Sequence, residues 1–241
     1  MARSSDLESM GKSLSRRVVS ILGMHRSGTS CLAGTLQEAG LYLGDVITEA
    51  PHNSKGNREN RRIMDLHEEV LAYNGGRWDE PPERVVWSDE HRRRRDDIIG
   101  SYGDARVWGF KDPRTLVTLD FWREAVPDLT FVGTFRHPLL VAESLTRRNG
   151  ATAEKWLALW LTYNERLVRL HAREAFPIVR FDSDAEVYRR SLSAVVARIG
   201  LSEPNTLTFF EPVLRHAADP PSVELPRPIA ALYETLCGIA V

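Results

Sequence analysis

Short, almost wholly apolar segments alternate with amphipathic segments along most of the chain. The apolar segments are residues 18–22, 106–110, 129–135 and 178–181. None of them alternates between apolar and polar positions, which is typical of strands that are buried on both faces. Each is followed by a pattern of helical period. The sequence therefore predicts an α/β fold with a parallel sheet that helices cover on both faces.

The predicted organisation is a P-loop-type central parallel sheet of four to five strands. The chain has 241 residues, which suits one domain of this class. We expect a flexible, polar tail over residues 1–15 and a single domain over residues 16–241. The longest helical pattern, residues 156–170, carries an apolar stripe that predicts core packing rather than an acceptor platform. The arginine run at 91–95 predicts a solvated helix face.

Composition narrows the possible partners. The 32 basic residues nearly balance the 33 acidic ones, and the net charge is −1. No overall field draws this protein to nucleic acid or to anionic lipid, so neither is an expected partner. No apolar stretch approaches the ~18 residues of a membrane span, and the first residues lack an apolar targeting segment. The two cysteines fit no metal-site spacing or disulfide framework, so we expect a cytoplasmic protein without a metal.

The first segment with chemical character is residues 23–30, GMHRSGTS, which follows a strand and opens a helix. Its two glycines have the spacing of a P-loop, in which backbone N–H groups and a helix N-terminus attract phosphate. Thr29 stands where a nucleotide triphosphatase carries lysine, and Arg26 lies inside the loop instead. This argues against an ATPase or a kinase. The simpler alternative is a glycine turn that leads into a helix.

Two further cations follow predicted strands. Lys111 begins the sequence KDPR, and Arg136 begins RHP, with Ser144 eight residues later on a predicted helix. Ligands of parallel sheets bind beyond the carboxyl ends of the strands, so we expect these cations to meet the glycine loop there. The simpler alternatives are a Lys111–Asp112 pair, a strand-end cation and an exposed helix serine.

These segments together resemble the sulfotransferases that use 3′-phosphoadenosine 5′-phosphosulfate (PAPS). The 5′-phosphosulfate loop of that family, an Arg or Lys followed by Ser-Gly-Thr-Thr/Ser, is matched by Arg26, Ser27, Gly28, Thr29 and Ser30. The pair of Arg136 and Ser144 is similar to the motif that binds the 3′-phosphate. Residues 109–114 look like the lysine-bearing strand end of tyrosylprotein and bacterial carbohydrate-type sulfotransferases.

The resemblance implies a PAPS-dependent transfer of a sulfuryl group to a hydroxyl or amine. Lys111 would then offset charge on the bridging oxygen, aided by Arg26 and Ser27, and no metal would be needed. Lysine suits this place because its compact charge can point at one oxygen. The alternatives from other classes are a degenerate P-loop kinase of small molecules and a non-catalytic nucleotide-binding protein.

Glu59 is the candidate general base for the acceptor. It lies in residues 53–60, where bacterial relatives carry a similar Lys-Gly-x-x-Glu segment. The alternative is a glutamate in a first helical turn, favoured there by the helix dipole. The histidine that serves the cytosolic sulfotransferases is absent, since Asp112 and Pro113 follow the lysine. His25 and His137 are reserve candidates.

The acceptor side is less well marked. Lys55 and Trp78 are the candidate acceptor-binding residues, and Trp87 is a second ring that could stack on a sugar or an aromatic acceptor. Arg215 could add a cation to the nucleotide site. A carbohydrate, a glycolipid and a secondary metabolite are all compatible acceptors.

Overall fold

The computed structural model describes residues 16–51, 53–202, 207–212 and 223–241. The tail predicted over residues 1–15 and the cation predicted at Arg215 lie outside these ranges. Within them, no helix is both long enough and apolar enough to cross a membrane.

A four-stranded parallel sheet forms the centre of the fold, in the order β2-β1-β3-β4. The strands are β1 Arg17–Leu22, β2 Val107–Lys111, β3 Thr130–Phe135 and β4 Ile178–Arg180. The predicted fold class and the number of strands are confirmed. Since β1 pairs with β2 on one side and with β3 on the other, the carboxyl ends of three strands meet at one edge.

Helices cover both faces of this sheet. Those that the structure describes are α1 Thr29–Glu38, α2 Arg61–Tyr73, α3 Asp89–Ser101, α4 Thr115–Ala125, α5 Pro138–Asn149, α6 Ala153–Glu174, α7 Ala185–Arg198 and α8 Arg227–Ile239. Side chains of β1 alternate between two apolar clusters. Val18 and Leu22 pack with α2–α6 and α8, whereas Val19 and Ile21 pack with α1 and α7. Burial of each such side chain contributes about 1.5–3 kcal/mol.

The apolar stripe of α6 packs into the core, as predicted. Trp156, Trp160 and Tyr163 are almost completely buried. The arginine run of α3 differs from the prediction at one position. Arg95 is buried because α4 lies over it, and its Nη1 donates to the Phe121 carbonyl at 2.6 Å.

Candidate functional site

A cavity of about 770 Å³ lies at the carboxyl ends of β1, β2 and β3. The sequence-predicted residues that line it are His25, Arg26, Gly28, Thr29, Ser30, Lys55, Glu59, Trp78, Lys111, Arg136 and Ser144. Ser27 and Trp87 do not line it. Ser27 is a completely buried residue of the loop, and the indole N–H of Trp87 donates to Glu124 at 2.9 Å.

The glycine loop has the backbone that its sequence suggests. Gly23 and Gly28 have φ angles of 150° and 84°, and Gly28 is the cap from which α1 begins. A Cβ at Gly23 would lie 2.5 Å from the Thr134 carbonyl, and one at Gly28 would collide with the ring of Phe181. The loop therefore needs glycine at both positions. Arg26, with a φ of 66°, is also left-handed, which is uncommon for a residue with a side chain.

Arg26 joins the loop to α5. Its Nε donates to the hydroxyl of Ser144 at 2.8 Å. The loop is also anchored to β3, because the Thr134 hydroxyl donates to the Ser27 carbonyl at 2.8 Å. Two residues that are 118 positions apart in sequence, one from each predicted phosphate motif, are thus in direct contact.

Arg136 follows β3 directly and is buried at the cavity wall. Its guanidinium carbon lies 5.7 Å from the ring centre of Phe181, and its carbonyl accepts from the Trp160 indole at 3.0 Å. The next residue, His137, caps α5 through its Nδ1, which accepts from the Leu139 amide. His137 is not among the cavity-lining residues.

Lys111 is the last residue of β2, and it is buried. Its Nζ lies 2.5 Å from Oε1 of Glu59 and 3.4 Å from the Ser30 hydroxyl. The simpler alternative, a pair with Asp112, is not what forms. Asp112 instead accepts two bonds from Nη1 of Arg114, at 3.0 and 2.9 Å.

Glu59 precedes α2 rather than lying in its first turn. The cap of that helix is Asn60, whose side chain accepts from the Arg62 amide at 3.0 Å, and the helix starts at Arg61. The helix-dipole explanation of Glu59 was therefore wrong about its position. The carbonyl of Glu59 accepts from the Ile47 amide at 2.9 Å, which fixes the backbone below Lys111.

A buried charge network lies behind Lys111. Arg114 bridges Asp112 to Glu68, and His67 lies 3.4 Å from Asp112 while it accepts from the Trp122 indole at 2.6 Å. Burial alone would raise the pKa of Asp112, but the charge of Arg114 holds it far below its ordinary value. This network holds the turn that directly follows Lys111.

Lys55 is bonded to the segment 207–212. Its Nζ donates to the Phe209 carbonyl at 2.6 Å and pairs with Glu211, also at 2.6 Å. The same segment is docked on α1, since Glu38 accepts from the Thr208 and Phe209 amides at 3.1 and 2.9 Å. Lys55 thus connects two walls of the cavity.

Trp78 is surrounded by side chains. Its ring stacks on Trp156 with centres 6.0 Å apart, and it contacts His25 at 4.5 Å. The guanidinium carbon of Arg148 lies 5.5 Å from the Trp78 ring centre. Burial, and then the charge of Arg114, hold the pKa of His25 well below its ordinary value. His25 is therefore a neutral, weak base at neutral pH.

The sequence analysis missed three lining arginines. They are Arg114, Arg147 and Arg148. Arg148 could have been predicted from helical spacing. Residues four positions apart share a helix face, and Arg148 follows Ser144 by four positions. With these included, the described part of the lining carries seven lysines and arginines against three glutamates. Among the described residues, no group of three His, Cys, Asp or Glu side chains could hold a metal.

No family model matches the chain, and neither does any curated protein. Solved structures do match. One is a sulfotransferase domain of the olefin synthase from Synechococcus PCC 7002, with a TM-score of 0.58 and 19% identity over 92% of this chain and 95% of that one. Another is a sulfotransferase from Mycobacterium tuberculosis, with a TM-score of 0.48 and 18% identity over 93% and 77%. The chain shares the fold of the Synechococcus sulfotransferase domain.

Proposed function

We propose that this protein is a sulfotransferase that moves a sulfuryl group from PAPS to a hydroxyl or amine acceptor. The observation that carries the proposal is the meeting of three groups in one cavity. These are the lining loop residues 26 and 28–30, the Lys111–Glu59 pair and the cation Arg136 with Ser144. An anion cradle, a buried lysine and a carboxylate are the parts that such a transfer requires.

Donor binding is assigned to the loop, to Arg136 at the end of β3 and to Ser144 on α5. The loop amides and Arg26 would hold the 5′-phosphosulfate at the N-terminus of α1. Arg136 and Ser144 would hold the 3′-phosphate. The excess of cations in the lining suits a donor that carries two phosphates and a sulfate. The contact between Arg26 and Ser144 would keep the two phosphate sites at a constant separation.

The transfer itself would use Glu59 and Lys111. Glu59 accepts the proton of the acceptor as its oxygen or nitrogen attacks sulfur in line with the leaving phosphate. The electron pair of the broken S–O bond stays on the phosphate oxygen, where Lys111 offsets the charge. Fixed cations would fulfil the role that a metal ion has in many phosphoryl transfers. The acceptor would be a carbohydrate, a glycolipid or a secondary metabolite.

Nucleotide binding tests the donor assignment. Calorimetry without magnesium is expected to show that 3′-phosphoadenosine 5′-phosphate (PAP) binds more tightly than ADP. Equal affinities would remove the 3′-phosphate assignment. Magnesium-dependent consumption of ATP would instead support the kinase. PAP binding without transfer from labelled PAPS to any fractionated host metabolite would support the non-catalytic protein.

Substitution of Glu59 tests the base. Glu59→Gln is expected to lower turnover at least 100-fold and to remove the acidic limb of the pH profile. Glu143→Gln is the matched control, because Glu143 also lines the cavity but is exposed and pairs with Arg147. An unchanged rate and pH profile in Glu59→Gln would assign the base elsewhere.

A further inference from the structure

Arg148 occupies a part of the cavity that the donor assignment leaves unused. It lies in the last turn of α5, one helical turn after Ser144, and lines the cavity. Its guanidinium carbon lies over the Trp78 ring at 5.5 Å, while its Nε donates to the Asn149 side chain at 2.6 Å. An arginine on an aromatic face keeps its remaining N–H groups free for a ligand.

Arg148 interacts electrostatically with residues from both halves of the proposed reaction. Burial lowers the pKa of Arg148. The carboxylate of Glu59 raises this pKa, and the charge of Arg114 lowers it further. Burial also lowers the pKa of Arg26, and Arg148 is the charge with the largest effect there, ahead of Arg136. Arg148 thus lines the same cavity as Arg26 and Glu59 and interacts electrostatically with both.

Most other cations of the lining already face a carboxylate. Among the described ion pairs, Arg148 takes part in none. The paired cations are Lys55 with Glu211, Lys111 with Glu59, Arg114 with Asp112 and Glu68, and Arg147 with Glu143. A half-buried cation without a carboxylate has lost hydration that an anion would replace.

We propose that Arg148 is a further catalytic residue, which binds the sulfuryl oxygens as the group passes from donor to acceptor. The inference rests on the proposed function, in which Arg26 holds the donor side and Glu59 the acceptor side. Trp78 supports it, because the guanidinium carbon lies 5.5 Å from the centre of the Trp78 ring and both residues line the cavity. This role uses the contact of Trp78 with Arg148, rather than a stacked acceptor ring.

The step is balanced without any further reactant. The S–O bond to the leaving phosphate breaks while a new bond forms from the acceptor oxygen to sulfur. The acceptor proton goes to Glu59, and the electron pair stays on the phosphate oxygen beside Lys111. The guanidinium of Arg148 donates hydrogen bonds to sulfuryl oxygens that take no part in either bond, so it stabilises charge without accepting a proton.

Hydrolysis of labelled PAPS tests this role without an identified acceptor, because water then takes the sulfuryl group. Arg148→Gln is expected to lower the rate of sulfate release about 100-fold, as for the loss of one preorganised donor. Its affinity for PAP, which has no sulfuryl group, is expected to change less than threefold. Arg148→Lys keeps the charge but loses the planar fork, so we expect partial recovery.

The matched control is Arg147→Gln, since Arg147 is the adjacent lining arginine and is already paired with Glu143. We expect wild-type hydrolysis from it. A parallel loss of PAP affinity in Arg148→Gln would overturn the proposal and assign Arg148 to the donor phosphates. Unchanged hydrolysis would also overturn it and leave Arg148 to an anionic group of the acceptor.

Three outcomes separate this proposal from the proposed function. A wild-type protein that does not bind PAP contradicts the donor assignment itself. A wild-type protein that binds PAP but releases no sulfate above the spontaneous rate contradicts the proposed transfer reaction. Sulfate release by the wild type that Arg148→Gln leaves unchanged contradicts only the role of Arg148.

Discussion

The ends of β2 and β3 are built from the same three-residue pattern, a cation, a capping side chain and a proline. At β2 the Asp112 carboxylate accepts from the Arg114 amide at 2.8 Å. At β3 the Nδ1 of His137 accepts from the Leu139 amide at 3.3 Å. In both places the capped turn stops the strand and leaves the preceding cation at the cavity.

The two ends differ in what surrounds the cation. Lys111 is held by the carboxylate of Glu59, and the cap beside it is part of a buried charge network. Arg136 lies over the ring of Phe181, and its cap is a histidine whose amide donates to Asp182 at 3.0 Å. One local pattern thus places a point charge next to a carboxylate at β2 and a planar guanidinium over an aromatic ring at β3.

The largest difference is expected from removal of the β2 cation. Lys111→Ala should lower turnover with PAPS about 1,000-fold, because charge on the leaving oxygen is no longer offset. PAP affinity should change less than threefold. Steady-state transfer and calorimetry measure the two effects.

That substitution also leaves the carboxylate of Glu59 buried and unpaired, which destabilises the fold. Lys111→Ala combined with Glu59→Gln removes this effect and is the control for folding. Turnover at the wild-type rate in either variant would refute the role of Lys111.

The next largest difference is expected between the capping side chains Asp112 and His137, in their contributions to the free energy of unfolding. Asp112→Asn is expected to lower the free energy of unfolding by about 3 kcal/mol, because Arg114 loses its buried counter-charge. His137→Asn keeps a good helix cap and should cost less than about 1 kcal/mol. Urea denaturation measures both values. Equal losses would show that the two capping side chains contribute equally to the free energy of unfolding, contrary to this prediction.

Removal of the β3 cation, Arg136, should have a smaller effect than removal of Lys111, and the effect should be on PAP binding. Arg136→Gln is expected to weaken PAP binding about 30-fold, since a charged hydrogen bond contributes about 1.5–3 kcal/mol. The affinity for ADP should change less than threefold because ADP has no 3′-phosphate. Calorimetry with both nucleotides decides this, and a similar loss for each would contradict the assignment.

The smallest effect concerns two histidines, His25 in the glycine loop and His137 at the end of β3. The pKa of His25 is lowered in the folded protein, so the unfolded chain binds more protons below about pH 6.5 and stability falls as the pH decreases. We expect a loss of about 1 kcal/mol between pH 7.5 and 5.5 that His25→Gln abolishes. Urea denaturation at the two pH values measures it.

His137→Gln should reduce the pH dependence of stability less than His25→Gln does. Burial lowers the pKa of His137 as well, but the charge of Asp182 opposes the change. A steeper pH dependence in His25→Gln than in the wild type would contradict the sign given for His25.

The sheet and the strand-end cations were predictable because both follow from local patterns. Apolar runs without alternation indicate buried parallel strands, and a glycine loop between strand and helix indicates an anion site. The order β2-β1-β3-β4 was not predictable from these patterns, since it depends on contacts between distant segments.

The partners of the cations were not predictable for the same reason. Lys111 meets Glu59 across 52 positions, and the ring under Arg148 comes from a proline-interrupted segment outside any helix. Arg95 shows the limit of charge patterns, because the run of arginines around it gives no sign of which one α4 covers. Such outcomes are decided by tertiary packing.

The position of the Phe181 ring limits which substitutions this sequence can accept. It occupies the space that a Cβ at Gly28 would need, and it also lies beneath the guanidinium of Arg136. Three positions in three distant segments therefore share one volume. A descendant that gains a side chain at 28 must shrink residue 181 and find a new support for residue 136, so these sites will change together or remain as they are.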